Sequence, residues 1–251
     1  MPTNRAENKQ RDARRRARIE RNAKRKQPRQ DKATPEDFWP APRLWPGNEC
    51  YILGGGPSLA LADLSLLENR RVIAVNNAYQ LGSFDVCYYG DCRWGQIHAS
   101  ALRDWPGLKV TCCPQHAKRS GIKVIKKIAR PEGISTDPKQ VCWNRSSGAS
   151  AINLATLFGV KRIVLVGFDM KRFGTEQIAE LQAAHPNVTR NNWHSEHPND
   201  PDKHNPYVRF REPFVAIKRD LDALGIECVN ATPNSALLEF PIMSLEEAVR
   251  G

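Results

Sequence analysis

The sequence predicts an α/β domain over about residues 49–251, with a mostly parallel sheet and helices on both faces. Three observations predict it. Short, continuous apolar runs of strand length recur along the chain, as strands buried on both faces require. Amphipathic stretches with helix-start and helix-stop residues lie between these runs. Several runs end in glycine, asparagine or aspartate, the residue types found where such strands pass into ligand-binding loops.

Taken in order, residues 50–53 form the first apolar run and end at Gly54-Gly55-Gly56. Ser58 then opens a predicted helix through Leu59, Leu64 and Leu67. Residues 72–75 are a second strand ending at Asn76-Asn77, residues 85–89 a third ending at Gly90-Asp91, and residues 108–112 a fourth. Ala151, Ile152, Leu154, Ala155 and Phe158 fall at helical spacing, preceded by Ser147-Gly148 and closed by Gly159. Residues 162–166 are a strand, apolar from Ile163 onward, ending at Gly167-Phe168-Asp169. Pro213 opens a further helix with Phe214, Ile217, Leu221 and Leu224 on its face and Gly225 as its stop. Residues 226–229 are the last strand. The alternation is Rossmann-like, and no internal repeat is visible.

The charge is unevenly distributed. The 251 residues carry 38 Lys+Arg against 27 Asp+Glu, a net of +11. Residues 1–32 hold 13 basic and 4 acidic residues, a net of +9, and subtraction leaves +2 for residues 33–251. Residues 1–34 therefore read as a basic arm with too few apolar side chains to fold alone. Its residues 5–32 suit electrostatic contact with nucleic acid, or a solubilising tail. Residues 35–48 are a linker in which Pro35, Pro40, Pro42 and Pro46 alternate with Trp39 and Trp45, the tryptophans pinning it to the body.

No apolar stretch approaches the roughly 18 residues of a membrane span. The arm has no apolar segment of the kind a secretory signal carries. A cytoplasmic protein is expected, in the host cytoplasm for a phage-encoded chain. Seven cysteines, without a CxxC pair, predict buried thiols in a reducing compartment rather than a disulfide framework. The adjacent Cys112 and Cys113 read as two buried thiols in preference to a redox pair.

The polar residues carry the functional inference. Gly54–Ser58, Asn76-Asn77, Asp91 and Asp169 each follow a predicted strand, so the fold would bring them to one rim, where open α/β sheets bind ligands. Gly54-Gly55-Gly56-Pro57-Ser58 joins a strand to a predicted helix and suits phosphate or nucleotide binding through backbone amides. It is not a dinucleotide fingerprint, because Leu59 stands where a third glycine is needed and Asn76-Asn77 where the ribose-binding acid belongs. Nor is it a Walker loop, which needs Lys-Ser/Thr.

Two further segments stand out. Asn144-Arg145-Ser146-Ser147-Gly148 is a second anion candidate, with helix capping by Ser146 or Ser147 as the alternative. In the polar loop Asn192-Trp193-His194-Ser195-Glu196-His197, His194 is the candidate general base. A metal site from His194, His197, Asp200, Asp202 and His204 is the weaker alternative, since the spacing matches no standard ligand set. No metal requirement is therefore expected.

As an ordered set, YILGGGPSL (51–59), IAVNNAY (73–79), SSGASAINLATLFGVKRIVLVGFDM (146–170) and the late histidine resemble two related groups. One is the bacterial CMP-sialic-acid-dependent sialyltransferases. The other is the motility accessory factors together with archaeal-type 6-hydroxymethylpterin diphosphokinase. Residues 45–242 are also similar to uncharacterised proteins of phage and prophage genomes. The resemblance implies a nucleotide or nucleotide-sugar donor. Gly54, Gly56 and Ser58 would lie at its phosphate, Asn77 or Asn76 at the nucleotide, Ser147 and Gly148 at a carboxylate or phosphate, and His194 would act as base. In the diphosphokinase version, Asp91 and Asp169 would help hold Mg²⁺ on ATP. The sialyltransferases also place tyrosines beyond the GxD motif to assist the departing phosphate. Residues 170–193 here contain none, and the next is Tyr207.

Overall fold

The structure is a computed structural model and describes residues 38–117, 119–197 and 205–251. The basic arm, the first residues of the linker, and Asp200, Asp202 and His204 of the metal alternative lie outside the described residues.

Seven strands form one parallel sheet: β1 (Glu49–Leu53), β2 (Val72–Val75), β3 (Val86–Tyr89), β4 (Leu108–Thr111), β5 (Ile122–Val124), β8 (Arg162–Val166) and β9 (Glu227–Asn230). Their order is β5-β4-β3-β2-β1-β8-β9. Between β5 and β8, β6 (Lys126–Ile128) and β7 (Gln140–Cys142) make a separate two-stranded parallel ribbon. The chain builds outward from β1 to β5, then returns to lay β8 on the other side of β1. The gap between β1 and β8 is thus the topological switch point, where open α/β sheets leave a crevice at the strand carboxyl ends.

Alternate residues of the strands feed opposite faces. Ile52, Ile73, Val75, Tyr88, Val110, Ile163 and Leu165 join one buried cluster, covered by helices α3 (Ser147–Leu157) and α6 (Phe214–Ala223). Tyr51, Leu53, Val72, Ala74, Tyr89, Val164 and Val166 join the other. That face is covered by α2 (Ala99–Asp104), which follows α1 (Cys92–Ile97), and by α7 (Leu245–Arg250). Helices α4 (Thr175–Ala184) and α5 (Tyr207–Arg211) complete the set. No helix among the described residues is long and apolar enough to cross a membrane.

The predicted α/β architecture is the observed one, with three local corrections. The segment after the glycine loop is not an α-helix but two short 3-10 turns, Pro57–Leu61 and Leu64–Leu67, the second capped by Asp63. Asp63 interrupts the apolar spacing and bonds the Ser65 amide at 3.1 Å, which restarts the turn. Strands β5 to β7 and helices α1, α2, α4, α5 and α7 carry too short or too polar a pattern to be predicted. Third, Cys92 and Cys113 form a disulfide with Cα atoms 5.4 Å apart, a separation that suits the bond. The other five cysteines are buried thiols. The pairing arises because the start of α1 after β3 and the chain after β4 leave neighbouring strands side by side.

The tryptophan linker is packed on the body. Trp45 is 6% exposed and meets Phe158 edge-on at 4.8 Å, while its amide donates to the Phe158 carbonyl at 2.9 Å. Replacing Trp45 by Ala should therefore cost about 3–5 kcal/mol of stability, the usual loss for a buried tryptophan. Urea unfolding measures this, and a change near zero would mean that the linker is not part of the folded body.

Candidate active site

The site grows from one close approach. The Gly54 amide donates to the Val166 carbonyl at 2.7 Å and the Gly56 amide to the Gly167 carbonyl at 2.9 Å. The approach needs glycine: a Cβ on either Gly54 or Gly56 would stand 2.7 Å from the Gly167 carbonyl oxygen, and one on Gly56 would also stand 1.9 Å from Asp169 Oδ2. The glycines thus serve chain-to-chain contact between the ends of β1 and β8. Pro57 has no amide to offer, and Ser58 spends its own amide (3.3 Å) and hydroxyl (2.8 Å) on Asp169 Oδ2. Gly55 differs: among the described residues nothing accepts from its amide, while its carbonyl accepts from the Trp193 amide at 3.2 Å.

Around this point lies a cavity of about 930 Å³. Gly54–Gly56, Asn76, Asn77, Asp91, Arg145–Gly148, Asp169 and His194 all line it. The four strand-end motifs and both loop candidates are therefore brought together, while Pro57 and Ser58 stay behind the wall. Asn76, Arg145 and Met170 on this rim have φ of 51°, 63° and 51°, left-handed values that non-glycine residues adopt at a cost and that concentrate at functional sites.

The individual roles differ from simple ligand contact. Ser146 is the N-cap of α3, its hydroxyl accepting from Ala149, and the Ser147 hydroxyl accepts from the Gly90 amide at 3.1 Å. The first-turn amides of Ser147 and Gly148 have no acceptor inside the helix, so this eleven-residue helix presents donors and a partial positive charge to the cavity. The Arg145 guanidinium is paired with Glu132 at 2.6 Å and with Glu212. Its charge is compensated before any ligand arrives. Asp91 caps α1, accepting from Arg93 at 2.7 Å and Trp94 at 3.4 Å. With Asp91 on a helix cap and one Asp169 oxygen on Ser58, the pair makes a poor Mg²⁺ site. Among the described residues no three His, Cys, Asp or Glu side chains are grouped to hold a metal ion.

Burial tunes the titratable groups. Asp169 is 1% exposed, and desolvation pushes its carboxyl up to about 6, against the two Ser58 hydrogen bonds that favour the anion. Its Oδ1 is buried without a hydrogen-bond partner. His194 is lowered to about 4, by burial first and then by neighbouring His197 and His98. It stands neutral at pH 7, with a buried, unpartnered Nδ1.

The tertiary fold adds residues that strand-end reading missed. His98 stacks on Trp94 at 4.2 Å and shares a 3.0 Å hydrogen bond with the Tyr79 hydroxyl. Asn77 accepts from Trp94 Nε1 at 2.6 Å and donates to Gln80 at 3.3 Å and to Glu196. Its amide is thereby fixed, and it latches the His194 loop to the end of β2. Tyr207 comes into the same cavity from α5 and donates to the Asn191 carbonyl at 2.6 Å. Burial raises its hydroxyl pKa, and the nearby Asp169 adds to the rise. The spacing of Asp91, Trp94 and His98 (i, i+3, i+7) was a signal available in the sequence, because it places all three on one helical face. Nothing local marked Tyr207.

No protein-family model matches the chain, and no curated protein sequence does. Its structure is similar to that of the MAf glycosyltransferase from Magnetospirillum magneticum AMB-1, with a TM-score of 0.53 and 10% sequence identity. The likeness covers 82% of this chain and 35% of that one, so this chain spans about a third of the neighbour's length. At that identity the likeness establishes the α/β fold.

Two measurements test the site. Gly56→Ala should lose about 1–3 kcal/mol or more, because backbone oxygen and a buried carboxyl both stand in the way. A loss under about 0.5 kcal/mol in urea unfolding, the range of neutral surface changes, would refute the close-approach argument. The second concerns pH. His116 and His194 are both lowered to about 4, so between about 4 and 6.5 the unfolded chain binds protons that the native protein does not. Their contribution falls as pH drops through that window. Asp169, raised to about 6, acts oppositely: its contribution is full below about 4 and is lost as pH rises through 6. The two imidazoles outweigh the one carboxyl, so stability should rise from pH 4 to 6.5. His194→Gln should remove about half of the histidine part. An unchanged pH slope would show that His194 is not buried neutral.

Proposed function

We propose that the protein is a transferase acting on a nucleotide-activated donor, with a glycosyl group as the group transferred. The observation that carries this reading is the cavity at the β1/β8 switch point, lined together by the α3 N-terminus, Asp169 and the imidazoles of His98, His194 and His197. Its volume lies within the range of small-molecule and cofactor sites. The fold likeness to a glycosyltransferase supports the reading.

On this reading the Ser147 and Gly148 amides receive an anionic group of the donor. The acceptor hydroxyl attacks the sugar carbon. The new carbon–oxygen bond forms as the bond to the phosphate oxygen breaks, and the acceptor proton passes to the neutral imidazole of His194. The nucleotide departs with the bonding electron pair, beside the α3 amides. Tyr207, from a distant stretch of sequence, lines this cavity, and the resemblance to sialyltransferases would give it the place of their tyrosines beyond GxD.

A thermal-shift screen of nucleotides, nucleotide sugars and ATP with Mg²⁺ tests this. A donor at about a hundred times its Kd adds about 2.7 kcal/mol of stability, a readily measured rise in Tm. Stabilisation by a nucleotide sugar is the expected result. Stabilisation by ATP·Mg²⁺ alone favours a diphosphokinase-like enzyme, and no response to any of them sinks the nucleotide reading. His194→Ala should keep the donor-induced shift and lower turnover about 10²–10⁴-fold, the usual worth of a general base.

A further inference from the structure

The near-neutral body conceals a separation of charge. Residues 105–143 hold eight Lys/Arg and two Asp/Glu, a net of +6, which leaves the remainder of residues 33–251 at −4. The fold gathers five of these cations at one end of the sheet. β5 is its edge strand, and the β6/β7 ribbon follows directly from it. Lys123, Lys126, Lys127, Arg130 and Lys139 are all exposed there. The Lys126 amide donates to the Lys139 carbonyl at 2.9 Å, which sets those two residues side by side. Lys127 Nζ lies 4.3 Å from the centre of the Trp143 ring, and Trp143 lines the cavity.

The local acids do not neutralise this edge. Glu132 is engaged by Arg130 and Arg145, and Asp137 accepts from the Lys139 backbone amide at 2.9 Å. Among the described residues no carboxylate pairs with Lys123, Lys126 or Lys139. The Trp39 amide donates to the Val124 carbonyl at 2.7 Å, and the Ala41 amide to the Pro138 carbonyl at 2.8 Å. The chain therefore enters the body between Lys123 and Lys139. Directly upstream in sequence lie the 13 Lys/Arg of residues 1–32.

We propose that the edge formed by β5, β6 and β7 is a docking surface for the phosphate backbone of a nucleic acid, reaching the cavity rim at Trp143. This goes beyond the transferase reading and does not depend on it. Concentrating like charge on one edge costs the folded state self-repulsion, which a polyanion relieves while releasing its own counterions. A row of exposed cations without carboxylate partners suits a linear polyanion. A membrane surface is the poorer match. None of the exposed large apolar side chains (Leu44, Leu61, Ile97, Val208, Val215, Leu224, Leu238, Ile242) falls within residues 105–143, and an interfacial segment needs such anchors. The Trp143 ring under Lys127 adds an aromatic surface of the kind that unpaired bases stack on.

The test uses the full chain, arm included. Binding of labelled single-stranded and duplex oligonucleotides is followed by fluorescence anisotropy over a series of salt concentrations, with phosphatidylserine vesicles as the parallel probe. The triple variant Lys123→Gln, Lys126→Gln, Lys139→Gln should reduce the slope of log K against log salt by about 2–3 with the arm intact, since each phosphate contact contributes about 0.7–0.9. Should the triple variant melt early, Lys126→Gln alone should still remove about 1. An unchanged slope would assign all binding to the arm and overturn the proposal. So would failure of the wild-type chain to bind either oligonucleotide at low salt, or binding to vesicles alone.

Discussion

The interaction on which the site depends is the contact between two backbone turns, Gly54–Gly56 after β1 and Gly167–Asp169 after β8. Parallel neighbours at a switch point normally diverge into separate loops. Here both amide bonds and the absence of two Cβ atoms hold the turns together. Three consequences follow from this one contact. The Asp169 carboxyl is carried under Ser58 and out of water. The Gly55 carbonyl is left outward, where the Trp193 amide binds it. The loop bearing His194 is thereby anchored to the end of β1, and through Glu196 to Asn77 at the end of β2.

Glycine in such a loop has two physical uses, and this structure separates them. Glycines can bare amides to an anion, or they can let one backbone lie on another. Gly54 and Gly56 do the second, with their amides already spent. Of the loop's three glycine amides only that of Gly55 is without an acceptor among the described residues. Further free donors lie in the first turn of α3, a proper helix, whereas the turn after the glycine loop is a short 3-10 segment. Desolvation also separates the acid–base groups: Asp169 is pushed toward its protonated form and His194 is kept neutral.

Much of the fold was legible because its determinants are local. The β2 and β8 bounds, Ser146 or Ser147 at the start of α3, and Gly159 and Gly225 as stops are set by apolar runs and capping residues within a few positions. The strand-end rule placed Asn76, Asn77, Asp91, Asp169 and the two loop segments on one rim, and they do line one cavity. What those side chains do there was not legible. Arg145 looks like an anion ligand until Glu132 and Glu212, 13 and 67 positions away, are seen to hold it. That Asp91 caps α1 was likewise not visible at the strand end.

The sequence by itself determined the alternation of strands and helices, the residues at the strand ends, and the location of the excess charge, since each depends on composition or on periodicity along a short stretch. The tertiary structure alone decided which backbone amides remain free, which charges are already paired, that Cys92 meets Cys113, and that Tyr207 and His98 join the site. It also decided that Lys123, Lys126, Lys127, Arg130 and Lys139 share one edge with the Trp39–Ala41 segment. These are facts of distance between segments remote in sequence, and they are fixed only once β8 returns to lie beside β1.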